Sequence, residues 1–167
     1  MRTMTIKELF DVGVSFESSV GEGTRSERDR IPKNYSRINL PDEMILNISE
    51  INKEINFLIS GEIWCPDYQL NATVLKKFTE LNSNFNISVI SMARGKKFLA
   101  PLLGLEDPKW PIITVLDKDF NILGIFNERP KPVRAFSNFD DIKLDYYKGK
   151  YLLDAAYEFL EMINKAK

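Results

Sequence analysis

Residues 55–63 (INFLISGEI) are a dense apolar and β-branched run that leads through Trp64-Cys65-Pro66-Asp67-Tyr68 into a helical pattern. Such a run reads as a strand buried on both faces. Pro66 suits the first helical position, where its missing N–H would go unbonded anyway. Leu70, Val74, Phe78 and Leu81 then lay one apolar stripe along a helix. Residues 85–92 (FNISVISM) form a second strand. Strand, helix and strand in this order require a parallel pair joined by a right-handed crossover. A chain built around that unit is α/β.

The flanking segments add elements on either side. Residues 3–12 place Ile6, Leu9 and Phe10 at the i, i+3, i+4 spacing of a short amphipathic helix. Residues 13–41 are rich in Gly, Ser and charge and read as a long irregular connection. Between residues 22 and 37 it carries Arg25, Arg28, Arg30, Lys33 and Arg37 against Glu22, Glu27 and Asp29. A basic stretch of this kind reads as solvated, with anion binding as the alternative. Pro41-Asp42 opens another helix, with Asp42 as its N-cap and Met44, Ile45 and Ile48 as its apolar face. A shorter helix covers 94–105, interrupted or restarted at Pro101. Residues 111–116 and 121–126 form an antiparallel hairpin across Asp117-Lys118-Asp119-Phe120, in which aspartates bond their own backbone. Arg129-Pro130-Lys131-Pro132 breaks structure, 133–149 is a polar connection containing aromatics, and a helix from about Tyr151 to Asn164 closes the chain.

Among 167 residues there is no histidine and one cysteine. Ser-His-Asp triads, Cys-His pairs and histidine metal ligands are thereby excluded, as are intrachain disulfides and cysteine zinc sites. Lone-thiol chemistry, carboxylate chemistry or binding without chemistry remain. A net charge of −1 gives no global field for nucleic acid or an anionic membrane. Cys65 sits where a helix begins, over unpaired N–H groups and the positive end of the helix dipole, which favours a thiolate. Asp67 and Glu62 oppose this, and no cation lies within the motif, so a moderately lowered thiol pKa is expected. The simpler reading of Cys65 is a small buried hydrophobe. Tyr68 reads as a surface aromatic of the helix and Asp67 as an N-terminal helix charge. Glu62 with Asp67 as a hydrolytic carboxylate pair has no second motif behind it. Tyr146, Tyr147 and Tyr151 near Lys148 and Lys150 read as packing where the last helix begins, or as a contact patch. Gly21 and Gly23 lack the spacing of a phosphate loop.

The strand–Trp64-Cys65-Pro66-Asp67–helix junction resembles the active-site junction of the thioredoxin superfamily, whose motif is Trp-Cys-x-x-Cys. Trp110-Pro111, with Pro111 46 residues beyond Cys65, stands at about the distance of that family's cis-proline loop. The hairpin and last helix follow in thioredoxin order, so the resemblance covers residues 42–167, with 1–41 as an N-terminal extension packed on the core. It is similar in detail to a bacterial subgroup with an N-terminal helical extension, Trp-Cys-Pro-Asp-Cys and an Arg-Pro after the hairpin, here Arg129-Pro130. The resemblance implies a thioredoxin-like fold, with a central mixed sheet of about four strands flanked by helices. Tyr68 replaces the second cysteine, and Ile59 stands where the family carries a buried acid. The dithiol cycle is therefore absent.

The resemblance implies a monothiol route in which Cys65 is the nucleophile and an external thiol the resolver. Trp64, Pro66, Asp67 and Tyr68 would line the substrate surface, with Trp110 and a cis Pro111 pairing with the bound chain. The partners would be disulfide-bearing proteins or low-molecular-weight thiols. The alternative is a redox-inactive thioredoxin-fold module that uses the groove beside Pro111 for protein recognition. Neither reading requires a metal or other cofactor. Residues 1–7 contain no apolar secretory segment, no run approaches a membrane span, and one unpaired cysteine suits a reducing compartment, so a cytoplasmic location is expected.

Overall fold

The computed structural model describes residues 2–167. Three helices lead the chain: α1 (Ile6–Val12), α2 (Phe16–Gly21) and α3 (Arg25–Tyr35). They are followed by α4 (Asp42–Glu50), β1 (Ile55–Ser60), α5 (Pro66–Leu81) and β2 (Phe85–Ile90). Next, α6 (Met92–Arg94) runs through a π-helical turn at Gly95–Leu99 into α7 (Ala100–Leu103), which ends at Gly104 in the left-handed region. The hairpin strands β3 (Ile112–Leu116) and β4 (Ile122–Asn127) follow, then α8 (Lys131–Arg134), a 3-10 turn at Phe139–Asp141, α9 (Lys143–Tyr147) and α10 (Leu152–Ile163).

The sheet has the order β2-β1-β3-β4. β1 runs parallel to β2, with Ile55 opposite Phe85, and antiparallel to β3, with Ile59 opposite Ile113. This is the mixed four-stranded α/β sheet expected from the sequence, with the crossover helix α5 between its parallel strands. All six residues of β1 are buried, because both faces are covered. Ile55, Phe57 and Ile59 point into one core with Val74, Phe78, Phe126 and Phe159, beneath α5 and α10. Leu58 points the other way, into a second core with Leu9, Ile90, Leu99, Trp110 and Ile112. The hairpin turn forms as its aspartates suggest: Asp117 Oδ1 accepts from the N–H groups of Asp119 (2.8 Å) and Asn121 (2.9 Å).

Several expected elements are corrected. The first strand stops at Ser60, not residue 63. Asp42 is the first residue of α4 and not its cap, since Pro41 occupies that position without a side-chain bond. Arg129-Pro130-Lys131-Pro132 does not simply break structure, since Pro130 leads into α8 at Lys131, and residues 133–149 are no plain connection but hold the second half of α8, the 3-10 turn and α9.

The largest correction concerns residues 13–41, which are not an irregular loop. Ser15 caps α2 by accepting from the Ser18 N–H. Thr24 and Glu27 close a capping box on α3, each side chain bonding the other's backbone N–H. The segment is stitched to the core. Val14 and Val89 exchange backbone bonds of 2.9 and 2.8 Å along the β2 edge, and Ser88 Oγ donates to the Phe10 carbonyl (2.6 Å). An unpaired sheet edge invites further pairing, and these bonds occupy part of it. α3 packs along α5.

Leu9 is fully buried in the second core, which makes α1 part of the folding unit. Leu9→Ala is expected to cost about 2–5 kcal/mol in urea unfolding, as for other buried leucine truncations. A loss below about 0.5 kcal/mol would mean that α1 adds nothing to the domain.

Candidate functional site

Of the sequence-nominated residues, the end of β1 brings Tyr68 and Pro111 together. The Trp110–Pro111 peptide bond is cis, as the resemblance implied. Gly61 lies between the two halves of the site: a methyl group added there would stand 2.9 Å from Tyr68 Cδ2 and 3.0 Å from Pro111 Cβ. Tyr68 and Pro111 therefore approach each other across a backbone position that tolerates no side chain. The Trp110 ring packs in the same way against Gly95. Glu128, with a φ of 63°, donates its N–H to the Pro111 carbonyl (2.8 Å) and so ties the end of the hairpin to the proline loop.

The motif residues divide by exposure. Trp64 is 57% exposed, whereas Cys65 is 8% exposed and Tyr68 is fully buried. Tyr68 is thus not a helix-surface aromatic. Its ring stacks on Phe16 of α2 at 6.3 Å, and its hydroxyl is hydrogen-bonded to Ser19 on the same helix. The side chain standing in place of a second cysteine therefore anchors the N-terminal extension.

Asp67 is buried too, rather than a solvated charge at a helix start. Its Oδ1 accepts from Arg129 Nε (2.9 Å) and from the Tyr146 hydroxyl (2.7 Å). Asn71, one turn along α5, lies within bonding distance of the Tyr146 oxygen (3.0 Å), the Asp67 carbonyl (2.9 Å) and the Glu128 carbonyl (3.2 Å). The Arg129 guanidinium stacks 3.7 Å above the Phe139 ring. Burial lowers the Arg129 pKa, but the hydrogen bond and charge of Asp67 more than reverse this, so the guanidinium stays ionised. Burial, followed by the Asp67 charge, pushes the Tyr146 hydroxyl well up, so it acts as a donor. The cation absent from the motif thus comes from the loop after β4.

This loop is anchored in turn by Glu158 of α10. Glu158 is buried and accepts from the Lys131 N–H (2.8 Å) and Arg134 (3.4 Å), and Arg134 also bonds the Arg129 carbonyl. Glu62 does not join Asp67 as a carboxylate pair. Its Oε1 accepts from the Met92 N–H (3.3 Å), just past the C-terminal end of the parallel strand β2, while both Asp67 oxygens face Cys65, Arg129 and Tyr146.

The thiol departs from the sequence expectation in sign. Burial pushes the Cys65 thiol up; the N–H groups of Tyr68 and Asp67 pull it down; the Asp67 carboxylate pushes it up again. The net direction is upward. The sulfur donates towards Asp67 Oδ2 at 3.8 Å. A helix start lowers a thiol pKa only when its N–H groups reach a solvated sulfur, and here desolvation prevails. Among the described residues no group of three or more Cys, Asp or Glu side chains could hold a metal ion, and no helix is long and apolar enough to cross a membrane. Ser19, Asn71 and Glu128 are site residues that sequence reasoning missed, each joined to the motif through a contact remote in the chain.

Burial also pushes the Tyr68 hydroxyl above the ordinary value near 10. The folded state keeps this proton while the unfolded chain releases it. The stability contributed is therefore whole below about pH 10 and is lost as pH rises further. Tyr68→Phe is expected to flatten the alkaline fall in unfolding free energy by about 1.4 kcal/mol per pH unit above pH 10. An unchanged alkaline slope, measured by urea titration, would place Tyr68 in solvent.

A thioredoxin family model matches residues 13–143 of the chain. A search of curated proteins finds no match. Among solved structures, the chain is similar to the crystal structure of a protein of unknown function from Pseudomonas aeruginosa, with 32% identity and a TM-score of 0.90 over 98% of both chains. It is equally similar to an HIV epitope-scaffold, with 32% identity and a TM-score of 0.90 over 98% of this chain and 100% of the other. The family match spans α2 to the start of α9 and so includes the helices that enclose Tyr68. With its cis-proline loop, mixed sheet and helix-opening cysteine, this chain belongs to the thioredoxin family.

Proposed function

We propose that this chain is a thioredoxin-fold recognition module, in which the groove beside Trp110–Pro111 takes an extended protein segment and Cys65 is a neutral thiol at its edge. The observation that carries this reading is the seat of Cys65: 8% exposed, with the Asp67 carboxylate 3.8 Å from its sulfur. Burial and adjacent negative charge both favour the protonated form, which is a poor nucleophile. Tyr68 supports the same reading, since it fills the place of a resolving thiol with a buried hydroxyl bonded to Ser19. The surface around the site suits a docking role. Trp64 is a large exposed aromatic, and aromatics of that kind anchor protein contacts.

One observation favours a second reading, monothiol exchange with disulfide-bearing proteins or low-molecular-weight thiols. The Tyr68 and Asp67 N–H groups pull the Cys65 pKa downward and would stabilise a thiolate once it forms. In that cycle Cys65 first loses its proton to solvent, and its thiolate attacks one sulfur of the substrate disulfide. The S–S bond breaks, one half departs as a thiolate, and Cys65 is left in a mixed disulfide. A second thiolate from solution then displaces Cys65. The departing half of the substrate ends as a thiol, its other half ends in a mixed disulfide with the external thiol, and a further external thiol releases it.

Iodoacetamide alkylation of Cys65 across pH separates the two. The recognition reading expects a midpoint above the free-thiol value of about 8.5 and faster alkylation of Asp67→Asn than of wild type at pH 8. A wild-type midpoint below about 7.5 would favour exchange instead.

A further inference from the structure

The basic residues of the N-terminal extension do not point uniformly into solvent. Arg30 and Lys33, at i and i+3 on α3, join Arg37 and Lys148 in lining one cleft of about 250 Å³. No aspartate or glutamate lines it, and among the described residues none of these four cations forms an ion pair. Arg37 is held in place by bonds to Asn34 Oδ1 (3.5 Å) and the Tyr147 carbonyl (3.3 Å). Four uncompensated cations around one cleft are an unusual concentration in a chain whose net charge is −1. Like charges one turn apart on a helix repel, so the arrangement opposes folding slightly. The same cleft receives Pro66 and Gln69 from the first turn of α5, a 16-residue helix whose dipole adds positive potential there.

The cleft touches the candidate site directly, since Pro66 follows Cys65. Tyr147 lines it as well. Its surface is not purely ionic. Leu144 is 73% exposed at its rim and Tyr147 is half-buried beside it. The basic surface continues along α3 into an open groove lined by Arg25, Arg30 and Lys33, with Asp29 the one acid. A small anion would have no use for an exposed leucine or for a groove running the length of a helix. A polypeptide with carboxylates spaced around an apolar residue matches both.

We propose that the cleft between α3 and α9 binds an acidic segment of a protein partner, carboxylates on Arg30, Lys33, Arg37 and Lys148 and an apolar side chain on Leu144 and Tyr147. The proposal deepens the recognition reading, because Pro66, at the edge of this cleft, directly follows Cys65.

The test uses the full chain and a fluorescein-labelled 12-residue peptide carrying glutamates on both sides of one leucine, with serine where a cysteine would stand. Fluorescence anisotropy is expected to give saturable binding that weakens with salt and falls about tenfold or more in the double variant Arg30→Glu, Lys33→Glu. Lys118→Glu, in the distant hairpin turn, should leave the affinity unchanged. With serine in place of cysteine the peptide can form no disulfide, so a failure of thiol chemistry leaves this outcome untouched. Equal affinity for the lysine counterpart of the peptide would overturn the proposal, as would full displacement by millimolar inorganic phosphate. Binding lost in Trp64→Ala but kept in the charge-reversed variant would also overturn it, while sparing recognition at the proline groove.

Discussion

The buried ion pair between Asp67 and Arg129 holds the functional end of this molecule together. A carboxylate sealed at the start of a helix is costly unless it is paired and hydrogen-bonded, and Asp67 meets both conditions with Arg129 and the Tyr146 hydroxyl. Three segments distant in sequence are fixed by that one side chain: the Cys65 turn, the loop after β4 and helix α9. Arg129 is itself oriented by the Phe139 ring, and the loop that carries it is fastened to α10 by Glu158. Glu128, next in sequence, closes onto the Pro111 carbonyl. The proline loop and the cysteine turn are therefore positioned by consecutive residues of one loop.

That constraint explains the character of the thiol. Asp67 cannot swing into water, so its second oxygen remains beside Cys65. The N-terminal extension completes the enclosure: Phe16 and Ser19 clasp Tyr68 from above, and Asn34 of α3 donates to the Gln69 carbonyl (3.1 Å) on the next turn. A junction that in a dithiol protein would expose two sulfurs carries here one shielded sulfur and one buried phenol. The same extension that shields the thiol places its basic residues along the neighbouring cleft.

The central architecture was legible because its signals are local. The β-branched run, the Pro66 helix start and the apolar stripe at 70, 74, 78 and 81 specify the βαβ unit, and Asp117 specifies the hairpin turn. Residues 13–41 were misread for an identifiable reason. Their helices are short and poor in apolar residues, and Pro32 lies inside α3, so periodicity is weak. The Thr24-Arg25-Ser26-Glu27 capping box was nonetheless present as a start signal. Burial of Tyr68 and Asp67 could not be read in this way. The first turns of α5 are buried on all sides, including polar Gln69, Asn71 and Thr73, whose hydrogen bonds are met in part by distant segments. Arg129 and Tyr146 were visible as residues, but only the fold brings them to Asp67.

A double-mutant cycle on Asp67→Asn and Arg129→Gln, followed by urea unfolding, tests this account most directly. Burial of the pair predicts a coupling of about 1.5–3 kcal/mol, the two single losses adding to more than the loss in the double variant. A coupling below about 0.5 kcal/mol, as for exposed ion pairs, would show that the two side chains do not share a buried contact and that something else fixes the cysteine turn.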